Sequence, residues 1–373
     1  MKSRYNSGHK HLKCMAQSLF GTFGEASVKN WTEAAKKELG GKDPFDALAL
    51  TKGGLAIKPY YDQSDTLAIT EDNLRPSLDP YLGPRGWHNV PDITVKDCAA
   101  ANKLALWHLN NGADGVQFTL DTKTDMAKLL HQMELTACSI FFVPKNGRST
   151  LLGEFEQYVH AKGFDKTKIV GGIFCQPPEG AGGTTVQGLE AWGNFHALGH
   201  MVQPAGPTDE IASALLLGVS MAGTMESPLP AISHLAFSFS IGPDFFLEIA
   251  KLRAFRRLWY QVCHAYGATS GQAYVHGLSH SWDKESFQPN ANMLKSTSAA
   301  LSAILGGCDA ITIKPEDDSP LKDRIARNVL TILREESHLN QTADAVAGSY
   351  YLESLTNQMA KTAWAKFQQT TNA

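Results

Sequence analysis

The stretch Leu235–Leu278 decides the fold, and it reads LAFSFSIGPDFFLEIAKLRAFRRLWYQVCHAYGATSGQAYVHGL. It starts with a short apolar run that alternates with serines, and it ends with a second short run, Ala273–Leu278. Between them, Asp244–Tyr266 has apolar residues at the spacing of an amphipathic helix. Strand, helix and strand in this order predict two neighbouring parallel strands joined by a helical crossover.

The same unit recurs from about residue 93 to the end of the chain. The predicted strands are Ile93–Val95, Gly115–Leu120, Cys138–Val143, Lys168–Cys175, Asn194–Leu198, Leu235–Ser240, Ala273–Leu278 and Ala310–Lys314. The predicted helices between and after them are Cys98–Asn110, Thr124–Met133, Leu151–Ala161, Thr208–Met221, Asp244–Tyr266, Ala291–Leu305 and Pro320–Glu336. Eight strands that alternate with helices predict an α/β fold of the (β/α)8 TIM-barrel type. The alternative is a doubly wound open sheet, but no GxGxxG motif follows the first strand.

Two flanking segments extend this predicted barrel. Residues 1–60 form an N-terminal arm, in which Trp31–Leu39 has helical spacing and Gly40-Gly41 is a stop signal. At the other end, Gly348–Phe367 has the apolar pattern of a helical tail that packs back on the body. We therefore divide the chain into an arm, residues 1–60, and a barrel with its tail, residues 61–373.

Composition limits the partners and the compartment. The 34 Lys and Arg residues against 37 Asp and Glu residues give a net charge of −3, so the sequence lacks the concentrated basic field that nucleic acids and anionic membranes require. No apolar run is long enough to span a membrane, and no signal-peptide pattern is present. The six cysteines stand singly, without a CxxC pair. We expect a cytoplasmic protein that binds neither nucleic acid nor membrane.

Histidines and serines are the candidate chemical groups. His196 and His200, and likewise His276 and His280, lie four residues apart, which leaves open a metal-dependent barrel enzyme, although neither pair forms an HExxH motif. Ser238 lies two residues before a second serine, so both hydroxyls are predicted on one face of the strand, where they leave room inside a barrel. No GxSxG elbow or phosphate loop is present.

Four long segments resemble the methylmalonyl-CoA mutase family. They are FSIGPDFFLEIAKLRAFRRLW (Phe239–Trp259), SAILGGCDAITI (Ser302–Ile313), DRIARNVLTILREES (Asp323–Ser337) and AGSYYLESLTNQMAKTAW (Ala347–Trp364). Near the start, LFGTFGEASVKNW (Leu19–Trp31), KKELGGKDPFDAL (Lys36–Leu48) and IKPYY (Ile57–Tyr61) resemble the beginning of the small (β) subunit of the heterodimeric bacterial enzymes. The resemblance implies a barrel that binds an acyl-CoA thioester along its axis. It also implies an assembly with isomerase activity that interconverts methylmalonyl-CoA and succinyl-CoA. A separate domain with a DxHxxG motif binds the adenosylcobalamin of that assembly.

Departures from the family pattern fall on its active-site motifs. Where catalytic subunits carry GYHMQEAG, Gly199–Gly206 reads GHMVQPAG, so a gapless fit puts Met201 at the position of the catalytic histidine and His200 one place early. A thioether donates no proton, and a positioned acid–base group contributes about 10²–10⁴-fold to a rate. The RPWTIRQYAGF segment has become PRGWHNVPDI around Trp87, and Tyr81 is an off-by-one candidate for the nearby tyrosine.

The resemblance leaves five candidate substrate-binding residues and no catalytic or metal-binding residue. They are Tyr81, His234, Ser238, Ser240 and His276. His276 is kept from the family's HCQTSGW segment, whereas its glutamine is replaced by Leu278. No DxHxxG motif occurs in the sequence, so we expect adenosylcobalamin to belong to the assembly and no cobalamin-binding domain in this chain.

These observations predict a small-subunit-like component that is not catalytic itself. It would support a catalytic mutase subunit in a heterodimer, with the arm and the barrel flank as the contact. A homodimer of the isolated chain is left open. Acyl-CoA remains a possible ligand. The first alternative is a competent acyl-CoA mutase barrel that a separate cobalamin domain completes. The second is an unrelated metal-dependent TIM-barrel enzyme.

Overall fold

A computed structural model describes residues 27–66, 82–120, 124–145, 148–176, 188–223, 228–268, 272–280 and 291–371. Its helices are α1 (Val28–Glu38), α2 (Pro44–Ala47), α3 (Cys98–Leu109), α4 (Met126–Leu129), α5 (Arg148–Lys162), α6 (Pro207–Gly223), α7 (Pro228–His234), α8 (Phe245–Ala265), α9 (Ala291–Gly306), α10 (Pro320–Glu335) and α11 (Tyr350–Thr371). Its strands are β1 (Leu50–Lys52), β2 (Leu55–Ile57), β3 (His88–Asn89), β4 (Asp92–Val95), β5 (Gly115–Leu120), β6 (Ser139–Pro144), β7 (Val170–Cys175), β8 (Asn194–Met201), β9 (Leu235–Ile241), β10 (Tyr274–Ser279) and β11 (Ala310–Thr312). Single turns of 3₁₀ helix cover Gln63–Asp65, Lys166–Lys168, Leu189–Ala191 and Leu339–Gln341.

The fold is α/β and is built on a curled, nine-stranded parallel sheet. The strand order is β3-β11-β10-β9-β8-β7-β6-β5-β4, and every neighbouring pair is parallel. The two edge strands, β3 and β4, are separated in the chain by Val90 and Pro91 alone. The N–H of Val90 donates to Ile311 O of β11 at 3.0 Å, and Pro91 O accepts from Gln117 N of β5 at 2.9 Å. One short segment of chain therefore contacts both ends of the strand order.

Alternation along each strand separates an outer from an inner face. On β9, the rings of Phe237 and Phe239 lie 4.9 and 4.8 Å from that of Phe255, so this face packs against α8. Close packing there depends on Gly218 of α6, because a Cβ at that position would lie 2.4 Å from the ring of Trp259. The intervening serines face the inside of the curl.

A second, smaller core fills the inner face. Val90, Phe141, Phe174, Ala236 and Ala310 form it, all at most 1% exposed. It is separate from the large outer core between the sheet and the helices. The carboxyl ends of the parallel strands meet at one opening of the curl, which we call the mouth.

The arm and the tail differ in how they join the body. In α1 no residue is buried, and Trp31 stacks on Tyr60 at 5.1 Å. The tail helix α11 packs along α8 and α6. There, Arg253 of α8 pairs with Glu353 at 2.7 Å and with Asp344 at 2.5 Å. None of the described helices has the length and apolar character needed to cross a bilayer.

The predicted elements are present, with shifted ends and one large exception. The strand Gly115–Leu120 has the predicted bounds, and α8 begins and ends within one residue of its prediction. The predicted helix Thr124–Met133 is only the four-residue α4. Gln132, in the turn that follows, takes a left-handed φ of 58°, so a helix could not continue to Met133.

Candidate functional site

Aromatic rings fill the inside of the curled sheet. Phe174 stacks on Phe141 at 5.9 Å and on His276 at 5.1 Å, with interplanar angles of 17° and 23°. The third side of this triangle, Phe141 to His276, is 6.1 Å. All three side chains are at most 1% exposed. We call these three residues the aromatic plug. The inward serines of β9 therefore do not leave the open space that the sequence predicted.

His276 is held in the aromatic plug by a chain of hydrogen bonds. The Thr312 hydroxyl donates to Val90 O at 2.6 Å, so its Oγ1 accepts from His276 Nε2 at 2.9 Å. Nδ1 of the same ring then accepts from the Ser238 hydroxyl at 2.8 Å. Burial, and after it the positive charge of Lys314, lowers the pKa of His276 to about 3. The imidazole is neutral at pH 7, and both of its nitrogens are hydrogen-bonded to protein atoms.

The predicted substrate-binding residues are spread along the curl. His234 ends α7 at the amino end of β9, where its Nδ1 donates to Phe195 O at 3.0 Å. Ser238 and His276 lie in the middle, bonded to each other. Ser240 is half-buried at the carboxyl end of β9. Tyr81 lies outside the described residues.

Met201 and His200 point to opposite faces of β8. Met201 packs against the inner core and is in register with Ser238. His200 is 2% exposed on the outer face, where its Nε2 contacts the sulfur of Met221 in α6. The resemblance aligns Met201 with the catalytic histidine of the family. The side chain that points inward at this position is therefore a thioether.

No three of the four histidines of the metal hypothesis converge on one point. His200 is on the outer face, and the ring of His276 is saturated by Ser238 and Thr312. His196 stacks on Tyr274 at 4.4 Å, and burial lowers the pKa of His196 to about 4. Across the described ranges, no three His, Cys, Asp or Glu residues are arranged to hold a metal ion.

A buried charge cluster at the mouth was not predicted from the sequence. Lys251 is 1% exposed, and its Nζ lies 2.7 Å from both Glu210 Oε2 and Glu248 Oε2. It also donates to Ser240 O at 2.8 Å, while Glu210 Oε1 accepts from Ala205 N at 3.0 Å. Burial raises the pKa of Glu210. Burial opposes the charge of Lys251, but the two carboxylates outweigh it and raise its pKa. The cluster fixes the loop after β8 to the end of β9.

An inward carboxylate on β4 was also missed. Asp92 Oδ1 accepts from Gln117 Nε2 at 3.0 Å and from Thr119 Oγ1 at 2.8 Å. The predicted strand began one residue later, at Ile93, so this side chain was not assigned to a face. Period-two alternation from Ile93 would have placed it inside.

Comparison with known proteins identifies the family. The family model described as methylmalonyl-CoA mutase matches residues 185–373. The methylmalonyl-CoA mutase small subunit of Porphyromonas gingivalis is 30% identical over 394 residues, which cover 94% of this chain and 64% of that protein. The small subunit from Streptomyces virginiae is 28% identical, with the same two coverages. The methylmalonyl-CoA mutase of Escherichia coli is 28% identical over 92% of this chain and 58% of its own length.

This α/β chain belongs to the methylmalonyl-CoA mutase family, as its sequence segments predicted. Within the family it is similar to proteins named small subunits. The chain spans less than two thirds of the length of these relatives.

Proposed function

We propose that this chain is the small-subunit-like component of an adenosylcobalamin-dependent methylmalonyl-CoA mutase. It pairs with a catalytic subunit in the cytoplasm and does not itself catalyse the isomerisation. The names of the similar small subunits support the pairing. The aromatic plug inside the curled sheet supports the absence of catalysis by this chain.

The proposal includes a closed (β/α)8 barrel. Counting β3 and β4 as one strand, interrupted at Val90 and Pro91, leaves eight strands. The hydrogen bonds from this strand to β11 on one side and to β5 on the other support closure. The carboxyl ends of the eight strands then surround the mouth.

The aromatic plug is the observation that carries this proposal. An acyl-CoA bound along the barrel axis needs an open path past small side chains. Here Phe141, Phe174 and His276 stack across that path, and none is more than 1% exposed. Met201 adds a side chain that donates no proton. The radical rearrangement needs an open path for the acyl-CoA and a polar group that contacts its carbonyl. This chain would therefore have the fold of the family and not catalyse its reaction.

Adenosylcobalamin enters the proposal only through the assembly, where the bound cofactor would supply the radical. No residue of this chain is assigned to it. What this chain contributes is a rigid body and a surface for the partner. The arm is the proposed contact, because α1 exposes an amphipathic helix in which no residue is buried. An obligate interface of this kind buries about 2,000 Å² or more.

Co-purification with a catalytic mutase subunit tests the proposal. We expect a 1:1 complex on size exclusion, and we expect the isolated chain to show no micromolar binding of succinyl-CoA by calorimetry. A chain that stays separate from the catalytic subunit would contradict the pairing. Micromolar binding, with turnover once a cobalamin domain is added, would favour the competent-barrel alternative instead.

A further inference from the structure

The hairpin of β1 and β2 reaches from the arm to the body of the protein. Its two strands are joined by a two-residue turn, Gly53-Gly54, in which both residues have a left-handed φ, 56° and 76°. Positive φ at both turn positions is the type I′ geometry that suits a tight hairpin. The turn is therefore a compact tip with a defined position on the body.

The tip rests on the first turns of α6 and α8. A Cβ at Gly53 would lie 2.9 Å from Cγ of Pro207, the first residue of α6, and 3.5 Å from Cδ1 of Leu247, in the first turn of α8. Next to the tip, Lys52 Nζ lies 2.8 Å from Oδ1 of Asp244, the N-cap residue of α8. The end of the hairpin therefore contacts both helices where they begin.

The same two helix turns carry the buried charge cluster. Glu210 of α6 and Glu248 of α8 both pair with Lys251 at 2.7 Å, and the three residues are at most 9% exposed. Glu210 also accepts from Ala205 N at 3.0 Å, which fixes the loop after β8. Charged contacts are stronger where water is excluded, so an element that packs on these turns strengthens the hold on that loop.

The hairpin itself is held lightly. All three residues of β1 are exposed, and the side chains of Lys52 and Asp244 are 51% and 50% exposed, so their ion pair contributes little. Its main anchor in the outer core is Leu55 of β2, which is 2% exposed. A two-stranded hairpin is marginally stable by itself. This element can therefore open locally while the body stays folded.

The hairpin is also continuous with the arm helix. Trp31 of α1 stacks on Tyr60, which follows β2 by three residues, with 5.1 Å between the rings. The ring of Tyr61 lies 5.1 Å from that of Tyr351 at the start of α11. Contacts therefore run from α1 through the hairpin to the first turns of α6 and α8.

We propose that the hairpin, Leu50–Ile57, is a clasp that holds the loop after β8. With the tip seated on α6 and α8 the loop is fixed, and with the tip lifted it is loosened. A partner that docks on α1 would favour the seated clasp, and loss of the clasp would weaken docking by the same factor, because coupling between two sites is reciprocal. This coupling to a partner rests on the proposed function, whereas the clasp itself does not.

Hydrogen exchange of the isolated chain tests the clasp. Gly53→Ala places a methyl group 2.9 Å from the ring of Pro207, so the tip can no longer seat fully. We expect the peptide that spans residues 202–211 to exchange at least about fivefold faster in this variant, the lower end of typical coupling between sites. Gly54→Ala is the matched control. Gly54 also has a left-handed φ, 76°, but a Cβ there would meet no atom of the described residues within 4 Å. Circular dichroism should confirm that both variants are folded, and equal exchange of this peptide in the two would overturn the proposal.

The complex with a catalytic mutase subunit tests the coupling. There the peptide of residues 202–211 should exchange at least about fivefold more slowly than in the isolated chain, and Gly53→Ala should bind the subunit more weakly by a similar factor. Unchanged exchange of this peptide in a complex that forms would overturn the coupling. If no complex forms, the proposed function fails, and the isolated chain still decides whether the hairpin is a clasp.

Discussion

At the scale of single residues, His276 shows that a residue shared with the family can have both ring nitrogens bonded within the protein. The resemblance made it a substrate-binding candidate. In the structure its two nitrogens bond to Ser238 and Thr312, and its ring stacks on both Phe141 and Phe174. A buried imidazole that satisfies both nitrogens stabilises a core. His276 therefore acts here as part of the aromatic plug.

Burial of His276 makes stability depend on pH. Its pKa is about 3 in the fold against 6.5 for a free side chain, so between these values the unfolded chain binds the extra proton. The free energy of unfolding should therefore fall as pH falls through this window, by up to about 1.4 kcal/mol per pH unit from this residue. We expect urea unfolding between pH 7 and pH 4 to show that the free energy of unfolding of His276→Gln depends less steeply on pH than that of the unmodified chain. The difference in slope should be up to about 1.4 kcal/mol per pH unit.

His264, exposed on α8, is the control for that experiment. Replacing it with Gln should leave the pH slope of the free energy of unfolding as it is in the unmodified chain. Parallel slopes for His276→Gln and the unmodified chain would show that the buried ring does take up a proton in the fold.

At the scale of elements, the order of strands and helices follows from the sequence, because hydrophobic periodicity reports which face is buried. It predicted β5 and α8 closely, and it placed Ser238 and Ser240 on one face. It did not predict which ring of the adjacent pair Phe141 and Phe142 faces inward. That depends on the register of β6 against its neighbours, which no local pattern encodes.

Local sequence patterns also did not predict the irregular features of the sheet, because these too depend on contacts between elements. The register of β7 against β8 shifts between Gly172 and Phe174, and the two histidines of β8, four residues apart, end on opposite faces. The hairpin of β1 and β2 was missed because its short strands, which begin at Leu50 and Leu55, are mostly exposed and show little alternation. Tertiary contacts decide such elements, and the sequence signal for them is weak.

Arg253 is a buried cation that joins α8 to the tail helix. Arg253 is 1% exposed at its side chain and pairs with Asp344 and Glu353. Arg253→Met should lower the free energy of unfolding by about 3–5 kcal/mol, because it leaves two carboxylates, 6% and 12% exposed, without their main partner. Lys366 of α11 is the control, since its pair with Asp209 is 38% and 52% exposed. Lys366→Met should cost about 1 kcal/mol or less. Equal losses in denaturant unfolding would contradict the role of burial.

At the scale of the whole molecule, the described residues form two cores, and helix α1 belongs to neither. The outer core joins the sheet to its helices, and the aromatic plug closes the inside. The arm helix α1 rests on α2 and Tyr60, and none of its residues is buried. An amphipathic helix of this kind gains its stability from packing, so a partner surface is where α1 would gain most.

Hydrogen exchange can compare the arm alone and in complex. In the isolated chain we expect the amides of α1 to exchange quickly, because a helix without buried contacts opens locally at little cost. In the complex with a catalytic subunit, protection of α1 should rise by roughly tenfold or more, which corresponds to a local stabilisation of about 1.4 kcal/mol. Amides of α8 around Phe255 and Trp259, both fully buried, are the internal control and should be protected in both states. If the complex forms and α1 still exchanges at its free rate, the partner contact lies on the body, and the arm has another role.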